Sequence, residues 1–400
     1  MSEGWFALKL MKPNITDYKR ARILAEFGAN PTETEELLIY NQNIFERDRF
    51  KTSLQFPLPS EPHLAVWHEY VANANLSSAW STLKDVLVQL KFPIQKGISQ
   101  TEAYRRTTLK GIDSQDKDIT GLLQQPEALQ LTIHQSLAGE IPVLLTTNRD
   151  DFVFLVRAIT KRNEPIDIPD SMGACMVAGY NNWDRIRRHR QQWSQKNHNS
   201  SELAWSAEFK RLTARKELYQ DRFIILSDGF YSNVPPEKLG LTEAQWRRLS
   251  LTIRLEHECT HYFTRRVFNS MRNNLLDEFI ADYWGIVAAT GSYKADWFLH
   301  FMGLESFPLY REGGRLQNYR GQLSDGAFKI LQRLVKSAAE NLEDFDCNYA
   351  QRISKGKWSF APTQDRTIML MALASLTIEE LASSQMGDRL LDRVMSSVET

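Results

Sequence analysis

Apolar residues recur at helical spacing over most of the chain, and they alternate in only a few short stretches. The first 125 residues read mostly as helix with intervening loops. Pro31-Thr-Glu-Thr-Glu precedes an apolar run, a pattern that starts helices. Ser77 to Leu90 carries apolar residues on a helical period and Pro93 follows its end, whereas Pro57, Pro59 and Pro62 mark an irregular connection. From about residue 128 the period changes. Leu129 to His134 alternates as a strand does, Ile141 to Thr147 is a short apolar run, and Arg222 to Ser227 is a third strand candidate. Asp150 to Ile159 returns to the helical period. A loop with Gly229 and Pro235-Pro236 follows the third strand, and then come two long helical patterns, Glu243 to Phe268 and Leu275 to Ala289. Beyond residue 290 the chain reads as helices separated by glycine-containing loops. The expected fold class is α+β: a mostly helical region over 1–125, then a second domain over 126–400 interrupted by a polar loop or insertion at about 185–203.

Composition narrows the class of protein. With 400 residues the chain is long enough for two or three domains, and 42% hydrophobic with 24% charged residues is an ordinary globular balance that argues against disorder. Basic and acidic side chains number 49 each, so no net charge draws the chain to nucleic acid or to an anionic membrane. Three cysteines, Cys175, Cys259 and Cys347, form neither a disulfide framework nor a C-x-x-C pair. The longest apolar run, Met369 to Leu376, is far short of the ~20 residues of a membrane span. The first residues carry an early acidic side chain and lack the basic start and long apolar core of a signal peptide. A cytoplasmic protein without a membrane partner is the expectation.

Two segments need weighing. Arg185 to Glu202 opens R-I-R-R-H-R, and Arg185 to Arg190 is a candidate patch for phosphate or nucleic acid; a solvated helix end and loop accounts for it more simply. Met172 to Asn182 is rich in small residues, with Gly173 and Gly179, and reads as a close backbone approach or tight packing corner. His63, His68, His134, His189 and His198 have no mutual metal-ligand spacing.

The chemistry lies at His257-Glu258-Cys259-Thr260-His261, an H-E-x-x-H sequence. Two imidazoles four apart on a helix share one face and reach one zinc ion, while Glu258 stands beside them to take a proton from a bound water. Chance produces such a pattern in about one chain in a hundred of this histidine content, so context must confirm it. The context is a helix. Thr242 and Gln245 read as a capping box, neither Gly nor Pro occurs from there to Phe268, and apolar residues recur at Trp246, Leu249, Ile253 and Leu255. Cys259 points away from the histidines and reads as a small buried hydrophobe. A turn at Arg272-Asn273-Asn274 leads into the next helix, where Glu278 and Asp282 share a face amid strongly apolar neighbours. One of them can ligate the metal, and the other can accept the remaining N–H of a ligating histidine.

H-E-x-x-H followed by E-x-x-x-D on the next helix resembles the gluzincin, thermolysin-like zinc metallopeptidases. The resemblance covers about residues 222–285. It implies a zincin-like core, with His257, His261 and Glu278 as zinc ligands, Glu258 as general base, and Asp282 as support for the first histidine. Asp277 stands just before the ligand, where that group often has a further polar support. Strand-like Phe223 to Leu226 lies upstream, where the family has a sheet whose edge strand binds extended peptide. The family's oxyanion donor is a downstream Tyr or His, for which Tyr310, Tyr319 and His300 are candidates here, with Arg311, Arg315 and Arg320 nearby. Two departures stand out: a spacer of sixteen residues between His261 and Glu278, and Arg254 where the helix usually carries a small or apolar residue.

The expected activity is zinc-dependent hydrolysis of a peptide bond in a peptide or protein substrate, by a processing enzyme of narrow specificity. The alternatives are a non-catalytic zinc-binding interaction or regulatory protein with a degenerate site, and a nucleic-acid-associated regulator using Arg185 to Arg190.

Overall fold

A computed structural model describes residues 15–46, 54–112, 122–197, 201–270, 274–354 and 362–396. In chain order the helices are α1 (Ile15–Glu26), α2 (Pro31–Tyr40), α3 (Leu64–Leu76), α4 (Ala79–Val86), α5 (Glu102–Lys110), α6 (Arg149–Thr160), α7 (Trp183–Lys196), α8 (Glu202–Thr213), α9 (Glu243–Phe268), α10 (Leu275–Thr290), α11 (Ala295–Met302), α12 (Asp325–Ser354), α13 (Pro362–Ala374), α14 (Ile378–Ala382) and α15 (Met386–Ser396). The strands are β1 (Gln130–Ser136), β2 (Gly139–Thr146), β3 (Ala174–Asn181) and β4 (Gln220–Ser227). The α+β expectation holds at this level. The chain folds as two compact units, 54–263 and 1–53 with 264–400, divided inside α9 between Phe263 and Thr264. Helices α1 and α2 pack with the C-terminal helices, while α3 to α5 belong with the sheet.

The unit 54–263 is built on one sheet in the order β1-β2-β4-β3. A tight hairpin joins β1 to β2, β2 runs parallel to β4, and β3 closes the other side antiparallel to β4. Phe223, Ile224, Ile225 and Leu226 of β4 are all buried. A strand hidden on both faces reads as a continuous apolar run rather than as an alternation. One face carries Leu131, Leu144, Phe223 and Ile225 against Trp67 and Tyr70 of α3 and Phe152, Leu155 and Val156 of α6. Phe223 to Leu226 therefore lies inside the sheet, paired on both sides, and the edge strands are β1 and β3. Strand β3 falls on the stretch read as a packing corner. Its register shifts between Val177 and Tyr180, at Gly179, and that irregularity with its small residues hides the alternation of a strand.

Most of the basic run starting at Arg185 is paired within this unit. Arg185 is buried against Asp221, Arg188 pairs with Asp184 and Glu69, Arg190 with Glu202, and His189 with Glu208. His198 lies outside the described residues. Asp221 also accepts from Trp67 and Asn182, so the carboxylate organises a buried polar network under β4.

In the other unit the long α12 packs against α2, α11, α14 and α15, and α10 against α11 and α13. Arg20 of α1 reaches Glu379 of α14 at 3.1 Å, and Asn41 donates to the same fully buried carboxylate at 3.0 Å. No helix among the described residues is long and apolar enough to cross a membrane.

Candidate metal centre

The expected capping box is present at the start of α9. The Thr242 hydroxyl accepts from the Gln245 amide at 3.3 Å, and the Gln245 side chain accepts from the Thr242 amide at 3.0 Å. The helix then runs unbroken to Phe268. His257, Glu258 and His261 are each buried, at 7%, 8% and 8% exposure, so polar groups of high desolvation cost are kept together here. The Nε2 atoms of the two histidines lie 3.0 Å apart, and their rings meet edge to face. Nitrogens turned on one point in this way leave the Nδ1 of His257 to an outer partner. At His257 that partner is the Tyr231 hydroxyl, 3.0 Å from Nδ1.

Helix α10 opens with Asn274 as its cap and brings in the carboxylates; Arg272-Asn273 of the expected turn lie outside the described residues. Asp277 is fully buried and accepts from the Thr264 hydroxyl at 2.9 Å. Glu278 accepts from the Tyr319 hydroxyl at 2.9 Å. Asp282, also fully buried, is paired with Arg315. The candidate ligand atoms of His257, His261 and Glu278 all lie within 4.8 Å of one another.

Residues 303–321 supply both Tyr319 and Arg315. Gly303 and Gly314 approach so closely that a Cβ on Gly314 would stand 2.6 Å from the Met302 carbonyl and 2.7 Å from the Gly303 Cα. Tyr310 staples the same loop from within: its hydroxyl donates to the Gly314 carbonyl at 2.6 Å and accepts from the Gln317 amide at 2.9 Å. The Tyr319 carbonyl accepts from the Tyr40 hydroxyl at 2.5 Å. Burial, reinforced by the Glu278 carboxylate, raises the Tyr319 hydroxyl well above the usual tyrosine pKa, so it stays a donor. The remaining downstream candidates are engaged locally. Arg311 pairs with Glu305, Arg320 with Asp325, and His300 Nδ1 lies 2.9 Å from the Asp296 carbonyl.

On the sheet side, burial together with the negative charge of Glu258 pushes the Cys175 thiol of β3 up to about 12.

Arg254 now has a physical account. Its guanidinium, 3% exposed, donates to the carbonyls of Ser227, Gly229 and Phe230, the turn leaving β4. Burial lowers its pKa to about 10, which still leaves it charged at neutral pH. Gly173 makes room for it, since a Cβ there would come within 2.2 Å of the guanidinium Nε. Sequence reasoning missed Tyr231. It stands 26 residues from His257 with no periodic relation to it. The available signal was a polar stripe on α9, Ser250, Arg254, His257 and His261, at the spacing of a single helix face.

A model of a family of unknown function, DUF7005, matches residues 22–385, and the chain belongs to that family. No curated protein and no solved structure matches it.

Proposed function

We propose that this chain is a zinc-dependent metallopeptidase with a zincin-like core, acting on a peptide or protein. The observation that carries the reading is the group formed by His257, His261 and Glu278, with the buried carboxylate of Glu258 next to the first histidine. Two imidazole nitrogens and one carboxylate oxygen are the donor set that zinc favours in sites that keep one position for water. A bound zinc would supply a Lewis acid and a water of lowered pKa. Glu258 takes the proton of the attacking water and passes it to the leaving amine. Tyr319 has one hydroxyl proton and spends it on Glu278, so its part is to orient that carboxylate. Tyr310 is engaged within its loop and serves to shape it.

Elemental analysis of the purified protein tests the centre. About one zinc per chain is expected in the wild type, with loss in His261→Ala and in Glu278→Ala. Glu258→Gln is expected to keep the zinc and lose at least 100-fold of any peptide cleavage. A wild type that takes up no zinc on reconstitution overturns the proposal. Stoichiometric zinc without cleavage of any peptide or protein would leave a zinc-binding interaction or regulatory protein.

A further inference from the structure

The sequence resemblance assigns the support of the first histidine to a carboxylate, Asp282. The geometry points to a further residue: we propose that Tyr231 orients His257, and that α9 holds Tyr231 in place through Arg254 and Ser250. This inference deepens the proposed function and rests on it only where zinc is invoked.

The argument starts from one face of α9. Trp246, Ser250, Arg254, His257 and His261 follow one another at intervals of four, four, three and four residues, so they form a single stripe. The upstream three grip one turn of the chain. The Trp246 indole donates to the Val234 carbonyl at 2.7 Å, and the Ser250 hydroxyl accepts from the Tyr231 amide at 2.9 Å. Arg254 binds the carbonyls of Ser227, Gly229 and Phe230 and lies 5.8 Å from the Tyr231 ring centre. The turn so held contains two non-glycine residues in the left-handed region, Ser232 at φ 51° and Asn233 at φ 56°. Such backbone persists only where its surroundings over-determine it. What the turn delivers is the Tyr231 hydroxyl, 3.0 Å from His257 Nδ1. A histidine that ligates through Nε2 carries its proton on Nδ1, and the phenol oxygen is placed to accept it. That bond selects the tautomer and fixes the ring plane.

The ring-nitrogen shifts of His257 in ¹⁵N-histidine-labelled, metal-free protein test the bond directly. Tyr231→Phe is expected to move them while leaving the melting temperature nearly unchanged. Competition against a chromophoric chelator then reads zinc affinity, where Tyr231→Phe is expected to lose about tenfold. Arg254→Lys is expected to lose a similar factor, since one ammonium cannot span three carbonyls. The double variant should lose no more than the weaker-binding single variant, because both act through one bond. If Arg254→Lys does not fold, Ser250→Ala loosens the same turn more gently and should show the same non-additivity. Unchanged His257 shifts and unchanged zinc affinity in folded Tyr231→Phe would overturn the proposal, as would losses that simply add. If wild-type protein binds no zinc, the peptidase reading falls while the nitrogen shifts still decide this one.

Discussion

At the scale of single residues, one glycine is required by what lies opposite it. Gly173 is at an ordinary backbone angle, yet a methyl there would meet the Arg254 guanidinium, which its three carbonyl partners prevent from swinging away. Gly173→Ala is expected to destabilise the protein by about 1–3 kcal/mol, the usual cost of overpacking, measured by denaturant unfolding. Glu61 is a second case. Burial works to raise its pKa, but the charge of Arg222 and hydrogen bonds from Tyr262 and Arg222 outweigh it, and the net shift is downward. A depressed carboxylate contributes stability that is present above its unfolded pKa and is lost as pH falls through the folded one. Glu61→Gln should therefore destabilise at neutral pH by about 2 kcal/mol, with the gap to wild type closing in acid. A gap that stayed constant to acid pH would remove the ionic account. The grouping of His257, Glu258 and His261 was legible at this scale, because their spacing is a local property of one helix. Tyr231 was not legible, since a turn folding back on its own helix leaves no periodic trace.

At the scale of elements, α9 and α10 were readable to within a residue or two. Their cues are local: a capping box, an unbroken apolar period, and a glycine, Gly291, ending α10 at φ 82°. Strand β3 was not readable, because Cys175, Val177 and Tyr180 share no strict alternation across the register shift at Gly179. Nor could the sequence show that β4 is central, since strand order depends on pairings between distant segments. The loop 303–321 is the element on which Glu278 and Asp282 depend, and it owes its shape to the crossing of Gly303 and Gly314. Gly314→Ala is expected to push this loop off the Met302 carbonyl and withdraw Tyr319 and Arg315 together. Zinc affinity should fall about tenfold or more, comparable to loss of an outer partner, while Gly313→Ala is a poor control because φ there is +78°. Tyr310→Phe is the gentler comparison, since it removes only the staple within the loop. Unaltered zinc affinity in Gly314→Ala would show that the loop does not govern Glu278.

At the scale of the whole molecule, the compact units join segments far apart in the chain, 1–53 with 264–400. Arg20 and Glu379 meet across 359 positions, a pairing that no local period can announce. Helix α9 contributes residues to both compact units. The candidate ligand set is drawn from α9 and α10, with His257 and Glu278 separated by twenty-odd residues that the unfolded chain does not hold together. Zinc should thus bind the folded chain far better than the unfolded one, and binding of that kind stabilises in proportion to the logarithm of free metal. At free zinc about a thousandfold above the dissociation constant, the gain is about 4 kcal/mol. For units of this size that corresponds to a rise of about 10 °C in melting temperature. Thermal unfolding in buffered zinc, and again after chelation, measures it. Glu258→Gln should keep the full rise, because the base is not a ligand, whereas His261→Ala and Glu278→Ala should lose it. A wild-type melting curve indifferent to zinc would contradict the centre at the level of the whole fold, even if some metal copurified with the protein.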